Sequence, residues 1–592
     1  MSQMLKSSGA MSGATLISRV LGMVRDIFYT QFMGTGWVAD AFNLAFMVPN
    51  LFRRLLGEGA LTAAFIPIFK EKEKLSGEQE MWRAANAVIS GLVAASSILV
   101  ALGVAGISLV LLFQAQGAQA LERMSLVNAL FPYALAGSVA GLIALRFTGN
   151  AAASVRRGAF VLIGAAVVLS LAMGLGMLGV SVGLQAEAGG GKTLLMLELL
   201  RLMFPYVLLV CLAALFIGVL NSRGYFFVPA MGATMLNVVM IASVLWLAPR
   251  MGGKLEQQIF GLAIGVVIAG VAQAAFQVPL LRKEGFHFQW VSPWRDETVR
   301  RVVTKMIPGA VGVAAFQINV LITQSIAFWA GVGVVSSFTV AVRLMELPQG
   351  GFGISLATYL LPTLSGLAAE KKYPEFRASL RHGLSWLLFV NLLASVFLFT
   401  LAEPMIRLLF ERGQFDEIST ANSALALRCL APGLVAFSVV NILARAFYAL
   451  GDTTTPMRIS IFCLALNVIF AAALVLRFKQ AGLGIANTLS AVTNMALLLY
   501  ALRKKLKTLD LAGLLKPLIV LTVAAIIAGA VAWKLESFWN ARIGHYRLWL
   551  RTGEVFVPIA AASFVYVAIA ILFKTGHVSE LLGMFRSRRR QA

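Results

Sequence analysis

The sequence predicts an all-α polytopic membrane protein of about sixteen transmembrane helices. Three observations carry that prediction. Of the 592 residues, 59% are hydrophobic and only 13% charged. Mean hydropathy is +0.84. Apolar windows of about 20 residues, long enough to cross a bilayer as a helix, recur along the whole chain. The short alternating strands of an outer-membrane barrel are not found.

In chain order the apolar spans fall near 10–33, 39–69, 86–113, 125–147, 157–184, 194–221, 228–249 and 257–282. They continue near 302–330, 334–366, 379–402, 424–450, 456–477, 482–506, 511–533 and 552–573. The first run is broken by Arg19 and Arg25 and lacks a small-residue cleavage site, so no cleavable signal is expected. Pro49, Pro308, Pro348 and Pro432 lie within spans, where proline kinks a helix or packs against its neighbours.

The net charge is +24. In a soluble chain that would suggest nucleic acid. Here the basic residues cluster between spans, and the positive-inside rule accounts for most of them. One alternate set of loops carries Lys70, Lys72, Lys74 and Arg83, then Arg146, Arg156 and Arg157, and later Arg503, Lys504, Lys505 and Lys507. The other set is poorer: "EPMIRLLFERGQFDEIST" has two basic residues against four acids. The loop from Lys534 to Arg551, with four basic residues, is the exception. The balance places both termini in the cytoplasm, with "FRSRRRQA" at an anionic membrane surface.

Two parts of the chain share spacings. "GLAIG" at Gly261 and "GLGIA" at Gly482 are each followed 21 residues later by a basic pair, Arg282-Lys283 and Arg503-Lys504. "LNSRGYFFVP" and "FYALGDTTTP" carry Gly224 with Pro229 and Gly451 with Pro456, and each precedes an asparagine, Asn237 and Asn467. "LTAAFIPIF" is similar to "LATYLLPTL". Six spans repeated in the same orientation give two bundles with a cleft between them, an arrangement that favours alternating access over a channel. The stretch 122–192 interrupts the repeat and reads as an inserted two-helix hairpin. The expected division is therefore 1–290, an N-terminal six-helix lobe carrying the hairpin; 291–508, a C-terminal six-helix lobe; and 509–592, a final helix pair with a basic tail.

Charges inside spans point to function. In "FMVPNLFRRLLGEGAL", Arg53 and Arg54 lie about 20 Å into their span at a helical rise of ~1.5 Å per residue. Arg19, Arg25, Asp26, Glu58 and Arg343 also lie within spans, and Asp40 lies near a span end. An arginine at a helix centre costs about 2.5–3.5 kcal/mol even on an insertion scale. Several together require water or partners. Arg54 and Glu58 are an i,i+4 pair, yet positive charge remains in excess. Such a surface attracts a polyanion, and the planar guanidinium fork suits phosphate oxygens. The plainer reading is that these arginines pair with Asp26, Glu58 and carbonyls to hold helices together. Gln317, Asn319, Thr323 and Gln324 fit a wet cleft or ordinary interhelical bonding equally well.

Enzymatic motifs are absent. "EAGGGKT" resembles a phosphate loop, but Ala186 stands where its first glycine belongs and the stretch falls in an expected outer loop. The six aspartates form no pair that would hold Mg²⁺. Cys211, Cys429 and Cys463 lie singly in apolar segments and suit packing rather than disulfides or metal. No enzyme activity, metal or cofactor is expected.

"SRVLGMVRDIFYTQFMGTGWVADAFNLAFMVPNLFRRLLGEGAL", "FERGQFD" and "ARAFYALGDTTTP" resemble the MurJ (MviN) family of lipid II flippases, within the multidrug/oligosaccharidyl-lipid/polysaccharide exporter superfamily. The resemblance covers nearly the whole chain outside 122–192. It implies a fourteen-helix two-lobed core, the last pair forming a groove for a lipid tail, and a place in the bacterial inner membrane. It implies flipping of lipid II, a polyprenyl-diphosphate-linked disaccharide peptide, from the cytoplasmic to the periplasmic leaflet, driven by membrane potential. Arg19, Arg25, Arg53 and Arg343 match cavity arginines needed for transport; Asp26, Asp40, Arg54 and Glu58 match other polar cavity positions. Val342 replaces the acid that usually precedes the arginine of "AVRLME", leaving Arg343 less neutralised. Partners would be lipid II, membrane lipids and cell-wall synthesis or division proteins, with no nucleic acid. The rival readings are a flippase for another polyprenyl-diphosphate glycan, a cation-coupled multidrug exporter, which needs an acid-rich cavity, and a non-transporting division scaffold.

Overall fold

The computed structural model describes residues 2–57, 60–114, 191–294, 296–507, 512–575, 577 and 580. Among them every regular element is helical. Among the described residues nine helices are long and apolar enough to cross a membrane, and two bent helix pairs raise the number to eleven. The chain is a multi-pass α-helical membrane protein. The difference from about sixteen has three sources. Continuous helices absorb spans that the sequence separates, the helix over the expected first span (Ser2–Met33) is not among those counted, and the expected hairpin at 125–184 lies outside the described residues. So do Glu58 and the basic tail.

The chain divides into two compact units, 1–317 and 318–592. The first holds α1 (Ser2–Met33), α2 (Trp37–Phe52), α3 (Ala60–Gln114), α4 (Gly191–Met203), α5 (Tyr206–Ser222), α6 (Phe227–Ala242), α7 (Leu255–Ala275) and α8 (Val278–Lys283). Helix α9 (Glu297–Ala330) runs through the division. The second holds α10 (Val334–Pro348), α11 (Ser355–Ala369), α12 (Tyr373–Thr400), α13 (Ala402–Phe410), α14 (Glu417–Leu430), α15 (Gly433–Ala449), α16 (Thr454–Lys505), α17 (Ala512–Arg542) and α18 (Leu548–Leu572).

Two devices, a proline-linked π turn and then a bent helix pair, recur in the same order in each unit. Helix α2 contains Pro49 and passes into a π-helical turn, Arg53–Gly57; α10 ends at Pro348 and passes into another, Gln349–Ile354. Proline removes a backbone donor, and the ladder widens just beyond it. Helices α4 and α5 meet at a 44° bend, and α14 and α15 at 46°. Pro205 and Pro432 stand at the two bends. The sharp breaks that divide α3 and α16 fall at Gly77 and Lys479.

The paired turns at Gly224 and Gly451 close alike. Both glycines have positive φ, 89° and 73°. In both, the next N–H reaches back to a carbonyl five residues earlier, Tyr225 to Leu220 at 3.0 Å and Asp452 to Phe447 at 2.9 Å. That is the Schellman closure, which favours glycine at the left-handed position. The residue after each glycine then bonds to the end of the unit's last repeat helix, with reversed chemistry. Tyr225 Oη donates to Glu284 at 2.7 Å, whereas Asp452 accepts from Lys505 Nζ at 2.6 Å. The Tyr225 hydroxyl and Arg223 hold Glu284 below the usual carboxylate range. Lys505 and the Thr455 N–H hold Asp452 far below it.

The first unit's core gathers Phe65, Phe69, Met81, Phe216 and Phe286, with Trp82 edge-on to Phe69. Truncating one such buried aromatic costs about 3–5 kcal/mol. In the second, Leu360, Phe376, Phe447 and Leu498 form one cluster. A separate seam joins α12, α17 and α18 through Ala524, Ala528 and Ala532 against Ala562, Tyr566 and Ala570. Small residues every fourth position let helices approach closely in lipid. The Tyr566 hydroxyl donates to the Phe389 carbonyl at 2.9 Å. Ile526, Phe556 and Phe564 face outward from this pair.

Candidate functional site

On α1, Ser18, Gly22, Arg25 and Tyr29 recur at helical spacing and share a face. Helix α6 packs on α1, and Asn237 bridges them. Its Nδ2 donates to the Ser18 carbonyl at 3.2 Å, and its Oδ1 accepts from Arg25 Nη1 at 3.0 Å. Arg25 also donates from Nε and Nη2 to Asp26 Oδ1, at 2.9 and 2.6 Å. The guanidinium is thus held from two sides. Its side chain keeps 16% exposure and that of Asp26 keeps 18%, so both remain reachable.

One turn further, the Tyr29 hydroxyl lies 3.4 Å from Asn43 Oδ1 and 3.4 Å from the Ala39 carbonyl of α2. Asp40, also on α2, is fully buried and is met by Lys192 Nζ from the first turn of α4 at 3.1 Å. Lys192 belongs to the glycine-rich stretch expected to be an outer loop. It is instead the second residue of a helix and the cation for a buried acid.

The continuous span expected over 39–69 is interrupted where its charges lie. Arg53 and Arg54 open the π-helical turn after α2. Arg53 Nε donates to Asn50 Oδ1 at 2.7 Å, one turn back. Both arginines are half-buried. A π turn rotates the residues that follow it relative to the preceding helix, a feature frequent at functional positions. The acid expected opposite Arg54, Glu58, lies outside the described residues. Arg19 is exposed on α1.

Arg343 belongs to the second unit, on α10. Val342 does remove an adjacent acid, but Glu346 supplies one a turn later: Arg343 Nη1 lies 3.1 Å from Glu346 Oε2. The expectation that Arg343 is less neutralised therefore needs correcting, because an i,i+3 partner is as close on a helix as an adjacent one. Among the polar residues of α9, Asn319 ties two helices together, whereas Thr323 bonds back within α9. Asn319 donates to the Leu464 carbonyl at 2.6 Å and accepts from Asn467 at 3.0 Å, and Thr323 donates to the Asn319 carbonyl at 3.0 Å.

Of the eight residues singled out in the sequence, the structure brings Arg25 and Asp26 into one bonded group. Arg53 and Arg343 each have a partner three residues away in the chain, Asn50 and Glu346, and Asp40 has a distant one, Lys192. Sequence reading marked Asn237 and Asn467 as repeat equivalents without seeing that each bonds the first helix of its own unit. Asn50, Lys192 and Glu346 were missed; the i,i+3 spacing of Asn50 with Arg53 and Glu346 with Arg343 was the available signal.

Comparison with known proteins places these features in context. The family described as lipid II flippase MurJ matches residues 29–146 and 149–551, which includes much of the stretch set apart as an insertion. A Vibrio cholerae protein named "Probable lipid II flippase MurJ" is 32% identical over 584 residues, covering 96% of each chain. A Burkholderia cenocepacia protein named "Lipid II flippase MurJ" is 30% identical over 532 residues, covering 89% of each. The solved structure titled "Lipid II flippase MurJ, inward closed conformation" shares the fold with a TM-score of 0.66 at 20% identity. That match covers 95% of this chain and 99% of the other.

Proposed function

The chain belongs to the lipid II flippase MurJ family, and on that premise we propose that it carries lipid II from the cytoplasmic to the outer leaflet of the bacterial cytoplasmic membrane. The observation that carries this reading is the family match over 29–146 and 149–551. The membrane-embedded arginines supply chemistry that suits it. Arg25, oriented by Asp26 and Asn237, and Arg53 offer planar donor forks suited to a diphosphate in the first unit, and Arg343 offers one in the second. Arg19, Arg54, Asp40 and Glu58 complete the polar set. The cargo crosses without a covalent step, so the activity is transport and not catalysis.

The internal repeat supports an alternating-access cycle. The proposed parts are a lobe over 1–290, a lobe over 291–508 and a final helix pair with its tail over 509–592. The outward apolar side chains of α17 and α18, Ile526, Phe556 and Phe564, suit contact with lipid and a prenyl tail. The basic-loop pattern supports cytoplasmic termini. Arg551, one basic residue of the exceptional loop, is paired with Glu411 at 3.2 Å, which lowers that loop's effective charge. Membrane potential is a sufficient energy source, at about 2.3 kcal/mol per charge per 100 mV.

The test is translocation of labelled lipid II by the purified chain in proteoliposomes. Activity on lipid II supports the reading. Activity on a different polyprenyl-diphosphate glycan, with none on lipid II, would replace it.

A further inference from the structure

Helix α13 carries a charge ladder at i,i+4 steps: Glu403, Arg407 and then Glu411 just past its end. Arg407 is buried, at 4% exposure. It donates from Nη2 to Glu403 Oε1 and from Nη1 to Glu554 Oε1, both at 2.8 Å. Its Nε lies 3.6 Å from Glu411 Oε2. Arg551 of α18 reaches Glu411 at 3.2 Å, and Arg428 of α14 reaches Glu403 at 3.4 Å. Glu536 of α17 acts electrostatically on Glu554, as do Arg407, Glu403 and Arg551. His545, in the turn between α17 and α18, lies near Arg407, Glu411 and Arg551.

Four carboxyls, Glu403, Glu411, Glu536 and Glu554, thus share three guanidiniums, Arg407, Arg428 and Arg551. With every acid ionised and His545 neutral, the group holds one negative charge too many. Glu554 is where that excess is least tolerable. It is fully buried, and its second oxygen, Oε2, meets no hydrogen-bonding group among the described residues. A buried charge with an unsatisfied oxygen is far costlier than the neutral acid. Glu536, the alternative seat, is only partly buried.

We propose that Glu554 is a proton-binding site: at neutral pH it carries a proton on Oε2, while Oε1 accepts from Arg407. The proton balances the cluster, and the joint between α13 and α18 responds to its loss. This group shares no residue with the arginines assigned to the diphosphate, and the proposal does not depend on the identity of the cargo.

The experiment is infrared spectroscopy of the full chain in detergent at pH 7, reading the carbonyl stretch of a protonated carboxyl. The wild type is expected to show the band, E554Q to lose it, and E536Q to keep it. Should E554Q not fold, E554D must shift the band in frequency. A wild-type spectrum without the band overturns the proposal. So does a band that survives E554Q, that is lost in E536Q, or that stays unmoved in E554D.

Discussion

Arg25 on α1 donates to Asn237 on α6 at 3.0 Å, across 212 residues of sequence. The amide fixes where the guanidinium points, and the Ser18 carbonyl fixes the amide. A hydrogen bond to a charged group contributes about 1.5–3 kcal/mol. Asn237→Ala is therefore expected to lower lipid II translocation by about tenfold, the equivalent of ~1.4 kcal/mol. Asp26 still holds Arg25, so the melting temperature should change little. Wild-type translocation by this variant would show that Asn237 does not orient a transport residue.

The buried pair of Asp40 and Lys192 should behave as a stability element. Removing one partner of a buried ion pair costs about 3–5 kcal/mol, and the partial exposure of Lys192 places it near the lower end. Lys192→Ala should lower the melting temperature by several degrees. The double variant Asp40→Asn, Lys192→Ala should recover part of that loss, because no carboxylate is then left buried. A single variant as stable as wild type would argue against the pair's role.

Stability should fall in acid partly through Asp452. Lys505 and the Thr455 N–H hold its folded value below its unfolded one. Its contribution is therefore fully present above the unfolded value, about 3.9. It is lost as pH falls through the folded value. Asp452→Asn should flatten that part of the acid melting profile, and Glu284→Gln should do so in the first unit for the same reason. An unchanged acid slope in both would contradict the assignment.

The two Schellman turns allow a clean backbone test. A Cβ at Gly224 or Gly451 would meet nothing within 4 Å, so alanine there adds left-handed strain and no clash. Each substitution should cost about 1–2 kcal/mol, read by thermal melting. Gly366, in α11 with open space around it, should tolerate alanine without loss. Equal losses at all three would mean that the positive φ is not the cause.

The membrane class was legible because lipid demands long apolar helices with internally satisfied backbones, and composition records that directly. The repeat was legible because turns need particular residues: Gly224 and Gly451 mark identical closures. Helix breaks were less so. Lys479 adopts a left-handed conformation that no residue preference announces. The π turn at Arg53 was hidden because an apolar run continues through it. Long-range partners were the least legible. Nothing local to Glu554 or Lys192 states that Arg407 or Asp40 will lie against it, since folding alone brings residues so distant in the chain together.

The central claim is that membrane-embedded arginines bind the diphosphate of lipid II, and Arg53 tests it most directly. The measurement is lipid II translocation in proteoliposomes containing equal amounts of folded wild type, Arg53→Ala and Arg53→Lys. The account predicts near-complete loss in Arg53→Ala. It predicts partial recovery in Arg53→Lys, where the charge remains and the two-pronged donor geometry is gone. Translocation by Arg53→Ala at the wild-type rate would contradict it and assign Arg53, with Asn50, to holding the π turn alone.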